Sequence, residues 1–280
     1  MPLSFFLNLS RELQSAQATE MNPAVEHRKI IRLKVTESTN SAALEAGQQG
    51  AASGTVIVAE AQTGGRGRMN RSWLSLPGMG LYFSIILRPD LAPEHLPKVT
   101  IAAGLAVCKA VETQYNIRPG IKWPNDLLLE GRKFGGILSE TAAMHNSSAG
   151  QRPLVVIGAG VNLFPPAGGF PAELKERATA LSLHVHKKIT AELLLQACVA
   201  ALEEELQRLE QGDFQAILKE WVQRDAIRDK ELSWVTPGGQ KVTGVSLGPD
   251  AEGILRIRDR AGAVHTVLSG DINLVGKICN

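Results

Sequence analysis

A chain of 280 residues and 30.1 kDa has room for one large domain, or a large domain with a small one, and its 44% hydrophobic and 21% charged residues are ordinary for a soluble globular protein. Its 30 basic and 28 acidic groups leave a net charge of +2, which argues against a whole-protein binder of nucleic acid or membrane. Cys108, Cys198 and Cys279 fall in no paired spacing, which argues against a disulfide framework or structural zinc and favours a reducing compartment.

The apolar run Leu3 to Leu9 is short, is interrupted by Ser4 and Asn8, and follows no basic residue, so no secretory signal is expected. No stretch approaches the roughly 18–20 apolar residues of a spanning helix, and a cytoplasmic protein without membrane attachment is expected. Residues 1–28 are polar and weakly patterned and read as an N-terminal extension. Lys29–Leu33 is a predicted strand, and Ser38 and Thr39 cap a helix through Ala46 that Gly47 can end. Thr55–Ala59 is short and β-branched, hence a buried strand, and a Gly-rich stretch follows from Gln62 to Asn70.

Leu81–Leu87 (LYFSIIL) is a strand. Ile101, Leu105, Cys108, Val111 and Tyr115 recur at spacings of three and four, predicting an amphipathic helix over 97–115 that Arg118-Pro119-Gly120 stops. Two strand-like runs, Ile121–Leu129 and Lys133–Glu140, meet at a turn on Glu130-Gly131, and Leu154–Leu163 is a further apolar strand. Thr190–Leu209 and Asp213–Arg224 read as helices broken at Gly212. From Lys230 short alternating stretches (232–235, 241–247, 254–258, 264–268) are separated by Gly-containing turns, which predicts a small all-β barrel and a boundary near residue 228. The expected architecture is α+β: a mixed, largely antiparallel sheet flanked by helices over 29–227, then a small β domain over 228–280.

Five polar clusters carry the chemistry. Gly64-Gly65-Arg66-Gly67-Arg68-Met69-Asn70-Arg71-Ser72-Trp73 combines glycines that let N–H groups approach an anion with arginines that donate to phosphate or carboxylate. It lacks the closing Gly-Lys-Ser/Thr of a Walker loop; alone, it reads as an anion site, a solvated basic loop or a nucleic-acid arm. In Lys122-Trp123-Pro124-Asn125-Asp126, Asp126 is a candidate magnesium ligand and Asn125 a candidate contact to ribose or phosphate, against the reading as an ordinary polar turn. Lys133 opens a strand in which Gly135 and Gly136 leave room for a ligand or mark a bulge; a lone lysine there is more often surface. Gly158-Ala159-Gly160-Val161-Asn162 makes a flat floor with one polar group, and Ser38-Thr39-Asn40 is a helix cap or three small hydrogen-bonders facing a polar ligand head.

In order and separation these clusters resemble the catalytic domain of biotin protein ligases: Ser-Thr-Asn, Gln-x-x-Gly-Arg-Gly-Arg-x-x-Arg-x-Trp, Lys-Trp-Pro-Asn-Asp, Lys-x-x-Gly-Ile-Leu-x-Glu and Gly-x-Gly-x-Asn, over about residues 30–165. Leu268-Ser269-Gly270-Asp271 resembles the family's closing motif, and the small β domain would then be SH3-like. The resemblance implies that biotin and ATP, with Mg2+, give biotinyl-5'-AMP, and that the biotin passes to a lysine of a biotin carboxyl carrier protein, a subunit of acetyl-CoA carboxylase or another biotin-dependent carboxylase. It places Ser38, Thr39, Asn40, Gln62, Gly65, Arg66, Gly67, Arg68, Lys133 and Gly136 around biotin. Arg71, Trp73, Asn125, Asp126 and Asn162 fall to the nucleotide, Asp126 to the metal, and Lys133, Arg68 and Lys122 to catalysis. Some family members carry an N-terminal DNA-binding domain, which needs ~50 residues or more; about 28 precede the first strand here, so no repressor activity and no DNA partner are expected. A homodimer is left open. Lipoate protein ligase is the rival within the enzyme class, and an RNA-binding protein, with steeply salt-dependent affinity, is the rival outside it.

Overall fold

The computed structural model describes residues 29–142, 152–235, 239, 241–268 and 272–275. The predicted N-terminal extension, Cys279 and residues 269–271 of the closing motif lie outside these.

Strands β1 (Ile30–Thr36) and β2 (Val56–Gln62) run parallel with Ile30 opposite Val56, and helix α1 (Thr39–Gln48) supplies the crossover that a parallel pair requires. β3 (Gly80–Leu87) returns antiparallel to β2. After helix α2 (Leu96–Tyr115), β4 (Gly120–Lys122), β5 (Asp126–Leu129) and β6 (Arg132–Thr141) form an antiparallel meander. β7 (Val155–Asn162) then inserts between β6 and β3, giving the order β1-β2-β3-β7-β6-β5-β4. The mixed, largely antiparallel sheet is the one the sequence predicts.

The two faces of this sheet differ because side chains alternate along each strand. On β7, Val155, Ile157, Ala159 and Val161 join the large apolar core with α2, α3 (Ala191–Glu210) and α4 (Phe214–Val222). Val156 points the other way, into a smaller cluster with Ala42, Ala43 and Ala46 of α1 and Ile86 of β3. Gly158, Gly160 and Asn162 continue that second face, beyond the end of α1. The run VVIGAGVN therefore builds a core on one side and a bare floor on the other.

Cys108 and Cys198 are wholly buried, and desolvation pushes the Cys108 thiol up to about 12, so both act as small core hydrophobes. Gly47 does not end α1, which runs to Gln48. It lies inside the helix because Leu154 packs against it; a Cβ there would come within 2.7 Å of Leu154 Cδ1. The run Ile121–Leu129, read as one strand, is two: it folds back at Trp123-Pro124-Asn125, where proline has no N–H to give the ladder.

The C-terminal residues form a second, antiparallel sheet of β8 (Glu231–Val235), β9 (Lys241–Pro249), β10 (Leu255–Asp259), β11 (Val264–Val267) and β12 (Ile272–Leu274), in the order β11-β10-β9-β8-β12. It is consistent with an SH3-like domain. Among the described residues β11 and β12 are not paired, so no closed barrel is seen there, and β12 is a strand the sequence did not predict. Leu232, Trp234, Leu255, Ile257 and Ile272 belong to the same core cluster as α2. The turn at Asp250–Gly253 touches the bend between β4 and β5 and the start of α2: Trp123 Nε1 donates to Gly253 O at 2.9 Å, and Lys98 pairs with Glu252 at 2.7 Å. No described helix is long and apolar enough to cross a membrane.

Candidate active site

The N-terminus of α1 reaches the floor with three buried polar residues, Ser38, Thr39 and Asn40. Ser38 is the cap, its hydroxyl accepting from Ser41 N–H at 3.5 Å. Thr39 N–H donates to Gln62 Oε1 at 2.8 Å, and Gln62 Nε2 donates to Ser75 Oγ at 2.8 Å, which fixes the Gln62 amide at the end of β2. Asn40 Nδ2 donates to Leu138 O at 3.2 Å and to Glu140 Oε2 at 2.7 Å. Its Oδ1 lies 2.6 Å from Ser84 Oγ. A Cβ on Gly158 would stand 1.9 Å from Asn40 Oδ1, so glycine is required for the amide to rest on β7.

The Gly/Arg loop folds back across this face. Gly67 N–H donates to Arg71 O at 2.7 Å and Trp73 N–H to Gly65 O at 2.8 Å, making a short hairpin with Met69 and Asn70 in left-handed backbone at φ 56°. Gly65 is wedged where a Cβ would meet Ser75 Oγ and Trp73 O, both at 2.7 Å. Arg66 crosses to Glu140 at 3.2 Å and to Ser41 Oγ at 3.1 Å, tying the loop to β6 and α1. The Trp73 indole lies on the floor, since a Cβ on Gly160 would fall 2.6 Å from its Nε1 and one on Gly136 would fall 3.6 Å from its Cζ3. Its Nε1 is buried with no hydrogen-bond partner.

Beyond Trp73 stands a charged end. Lys133 Nζ lies 2.5 Å from Asp126 Oδ1 and 5.2 Å from the Trp73 ring centroid, within cation–π range. Lys122 Nζ is 3.8 Å from Asp126 Oδ2. The fold-back at Trp123-Pro124 brings Asn125 onto β6, where Asn125 Nδ2 donates to Ile137 O at 2.6 Å and Asn125 O accepts from Ile137 N–H at 3.0 Å. Arg68 Nη1 reaches Asn125 Oδ1 at 3.5 Å. The segment Arg177–Thr179 grips the backbone of Lys133 on both sides: Lys133 N–H donates to Arg177 O at 2.7 Å and Thr179 N–H to Lys133 O at 2.9 Å. Asn162 Nδ2 donates to Thr179 O at 3.0 Å.

Most of these groups border one cavity of about 990 Å³, large enough for a nucleotide and a second small molecule together. Of the residues singled out in the sequence, Ser38, Thr39, Asn40, Gln62, Arg66, Gly67, Arg68, Arg71, Trp73, Lys122, Asn125, Asp126, Lys133, Gly136 and Asn162 line it. Gly65 stands behind the loop. Sequence reasoning missed Ser84, Ser75 and Thr179 and gave Glu140 no role. The signal for Ser84 was a hydroxyl inside the apolar run LYFSIIL; none marked Thr179. Among the described residues no group of three or more His, Cys, Asp or Glu side chains could hold a metal ion by itself.

Residues 32–162 match the biotin/lipoate A/B protein ligase family. The bifunctional ligase/repressor BirA of Bacillus spizizenii is 35% identical over 88% of this chain and 74% of its own length. The biotin--[acetyl-CoA-carboxylase] ligase of Mycobacterium tuberculosis is 32% identical over 85% of each chain. Among solved structures, the biotin protein ligase of Aquifex aeolicus in complex with biotin and ATP superposes with a TM-score of 0.75, at 28% identity, over 88% of this chain and 98% of that one.

Proposed function

Because the chain belongs to the biotin/lipoate A/B protein ligase family, we propose that it is a biotin protein ligase, joining biotin to AMP at the expense of ATP and passing it to a lysine of a carboxylase carrier protein. One observation carries this reading: five separated motifs converge on a single cavity with a neutral hydrogen-bonding end and a cationic end. Biotin suits the first and the triphosphate the second.

The neutral end offers small, fixed donors and acceptors from Ser38, Thr39, Asn40 and Gln62 to a ureido ring, whose carbonyl accepts and whose two N–H groups donate. Gly136 leaves room for the bicycle beside the Trp73 indole, which itself covers Gly160. The carboxylate tail then points to Lys133. For the first step the tail must attack the α-phosphorus of ATP, two anions meeting while charge builds on phosphorus and pyrophosphate leaves. Lys133, Lys122, Arg68 and Arg71 supply the opposing charge from fixed positions, which is how electrostatic preorganisation lowers such barriers. Asn125 and Asn162 serve the ribose and base, and Asp126 shares in holding the magnesium that ATP carries.

Asp126 pairs with Lys133, and binding exchanges that partner for the biotin carboxylate, so the lysine is placed before substrate arrives. Biotinyl-AMP is a mixed anhydride that water hydrolyses; the Gly65–Trp73 hairpin covers it. In the second step a carrier lysine attacks the acyl carbon, the amide forms and AMP leaves. Catalysis falls to residues 29–227, with the C-terminal sheet of β8–β12 as a small β unit packed against them.

The test is labelling of a biotin carrier domain with the full chain, ATP, Mg2+ and biotin, with lipoate in a parallel reaction. Biotin-dependent AMP release and a labelled lysine are expected. Labelling by lipoate and not by biotin, or no AMP from either, would overturn the assignment.

A further inference from the structure

Ser84 sits at the centre of β3, opposite Gly158 of β7, and is wholly buried in an otherwise apolar strand. A hydroxyl there loses hydration and must be repaid by hydrogen bonds. It lies 2.6 Å from Asn40 Oδ1 and 2.8 Å from Thr39 Oγ1.

Counting protons fixes the direction of this network. Both amide hydrogens of Asn40 are taken, by Leu138 O and Glu140 Oε2. Flipping the amide would set its oxygen against those two acceptors, so Oδ1 must face Ser84 and receive the single Ser84 proton. The 2.8 Å contact between Ser84 and Thr39 then requires Thr39 to donate to Ser84. The alternative acceptor for the Thr39 proton, Gln62 Oε1, is farther at 3.2 Å and already receives the Thr39 backbone N–H. The chain therefore runs from Thr39 to Ser84 to Asn40.

We infer that Ser84 is a positioning residue that orients the Thr39 hydroxyl, so that its free lone pair faces a ring N–H of the ligand. The inference rests on the assignment of this end of the cavity to the ureido ring of biotin. Ser84 touches no substrate. It acts by drawing the Thr39 proton away from the longer contact to Gln62 Oε1, which fixes the direction of the Thr39 lone pairs, and by holding the Asn40 amide on Gly158.

The experiment uses the full chain and titrates biotin and two biotin analogues, each N-methylated at one ureido nitrogen, against wild type, Ser84→Ala and Ser84→Cys. With the hydroxyl gone, biotin affinity should fall roughly tenfold, the equivalent of one hydrogen bond. The preference for biotin over one of the two methylated analogues should shrink by a similar factor, while KM for ATP stays within about twofold. Ser84→Cys keeps the volume nearly unchanged with a weaker donor and should fall between, which also covers failure of the alanine variant to fold. Biotin affinity within about twofold of wild type in a folded variant overturns the role of Ser84. Equal weakening for biotin and both analogues also overturns it, since a loosened strand would do that. A wild-type chain that binds no biotin would instead sink the ligase reading itself, and this inference with it.

Discussion

Gly158→Ala is the sharpest probe of how the neutral end is built. The added carbon would sit 1.9 Å from Asn40 Oδ1 and 2.8 Å from Asn40 Cγ, whereas even a close carbon–oxygen contact keeps about 3.3 Å. The amide must withdraw by more than 1 Å by this comparison, and its bonds to Ser84, Leu138 and Glu140 cannot all survive. Each neutral bond is worth about 1 kcal/mol and the one to the Glu140 carboxylate about 1.5–3 kcal/mol. Overpacking adds about 1–3 kcal/mol, and the stiffer unfolded chain returns at most about 1 kcal/mol. Allowing for partial re-pairing, the net loss is roughly 3–5 kcal/mol, or a fall in Tm of about 10 °C for a chain of this size. Thermal denaturation and biotin titration on the same preparation read both effects. Gly160→Ala is the companion probe: its Cβ meets the edge of the Trp73 indole at 2.6 Å, and the indole N–H there has no hydrogen bond to lose, so Tm should move less than for Gly158→Ala while biotin affinity drops. A Gly158→Ala protein with unchanged Tm and biotin affinity would refute the reasoning.

Lys133→Ala should cut biotinyl-AMP formation by roughly 10²–10³-fold, as loss of one preorganised donor does, with Tm preserved; near-normal pyrophosphate release would refute its role. Arg68→Gly should let biotinyl-AMP escape roughly tenfold faster, read by trapping of free intermediate, and wild-type retention would count against the covering hairpin. Asp225 is held above its ordinary aspartate range by desolvation, with Oδ2 buried and unpartnered. A raised folded value means its stabilising contribution is present below the unfolded value, about 3.9, and disappears as pH rises through the folded one. Against Asp225→Asn, wild type should therefore gain relative stability on acidification; a pH-independent difference in Tm would contradict the burial argument.

Much of this was legible in sequence because the functional groups are local. Ser38-Thr39-Asn40 caps a helix wherever that helix lies, and the Gly/Arg run announces both its turn and its charge. The VVIGAGVN strand could be read as a floor because alternation sends its glycines to one face. What escaped depends on pairs distant in the chain. Ser84 has meaning only beside Asn40, 44 positions away, and Thr179 only beside the Lys133 backbone. The strand break at Trp123-Pro124 was masked by the apolar residues on either side, and β12 is too short for a visible period. Gly47 was misread because a helix-ending glycine and one flattened against Leu154 look alike until the neighbour is known.

The turn at Asp250–Gly253 gives the small sheet a grip on the loop that carries Asn125 and Asp126. An indole donor, a lysine–glutamate pair and the Phe214 ring against Gly253 fasten three different chemistries to one corner. Anyone trimming the protein at residue 228 to obtain a minimal enzyme would leave Trp123 with a severed bond and an uncovered apolar wall. The portion that looks detachable behaves as a buttress, and its removal should be felt first in the handling of nucleotide.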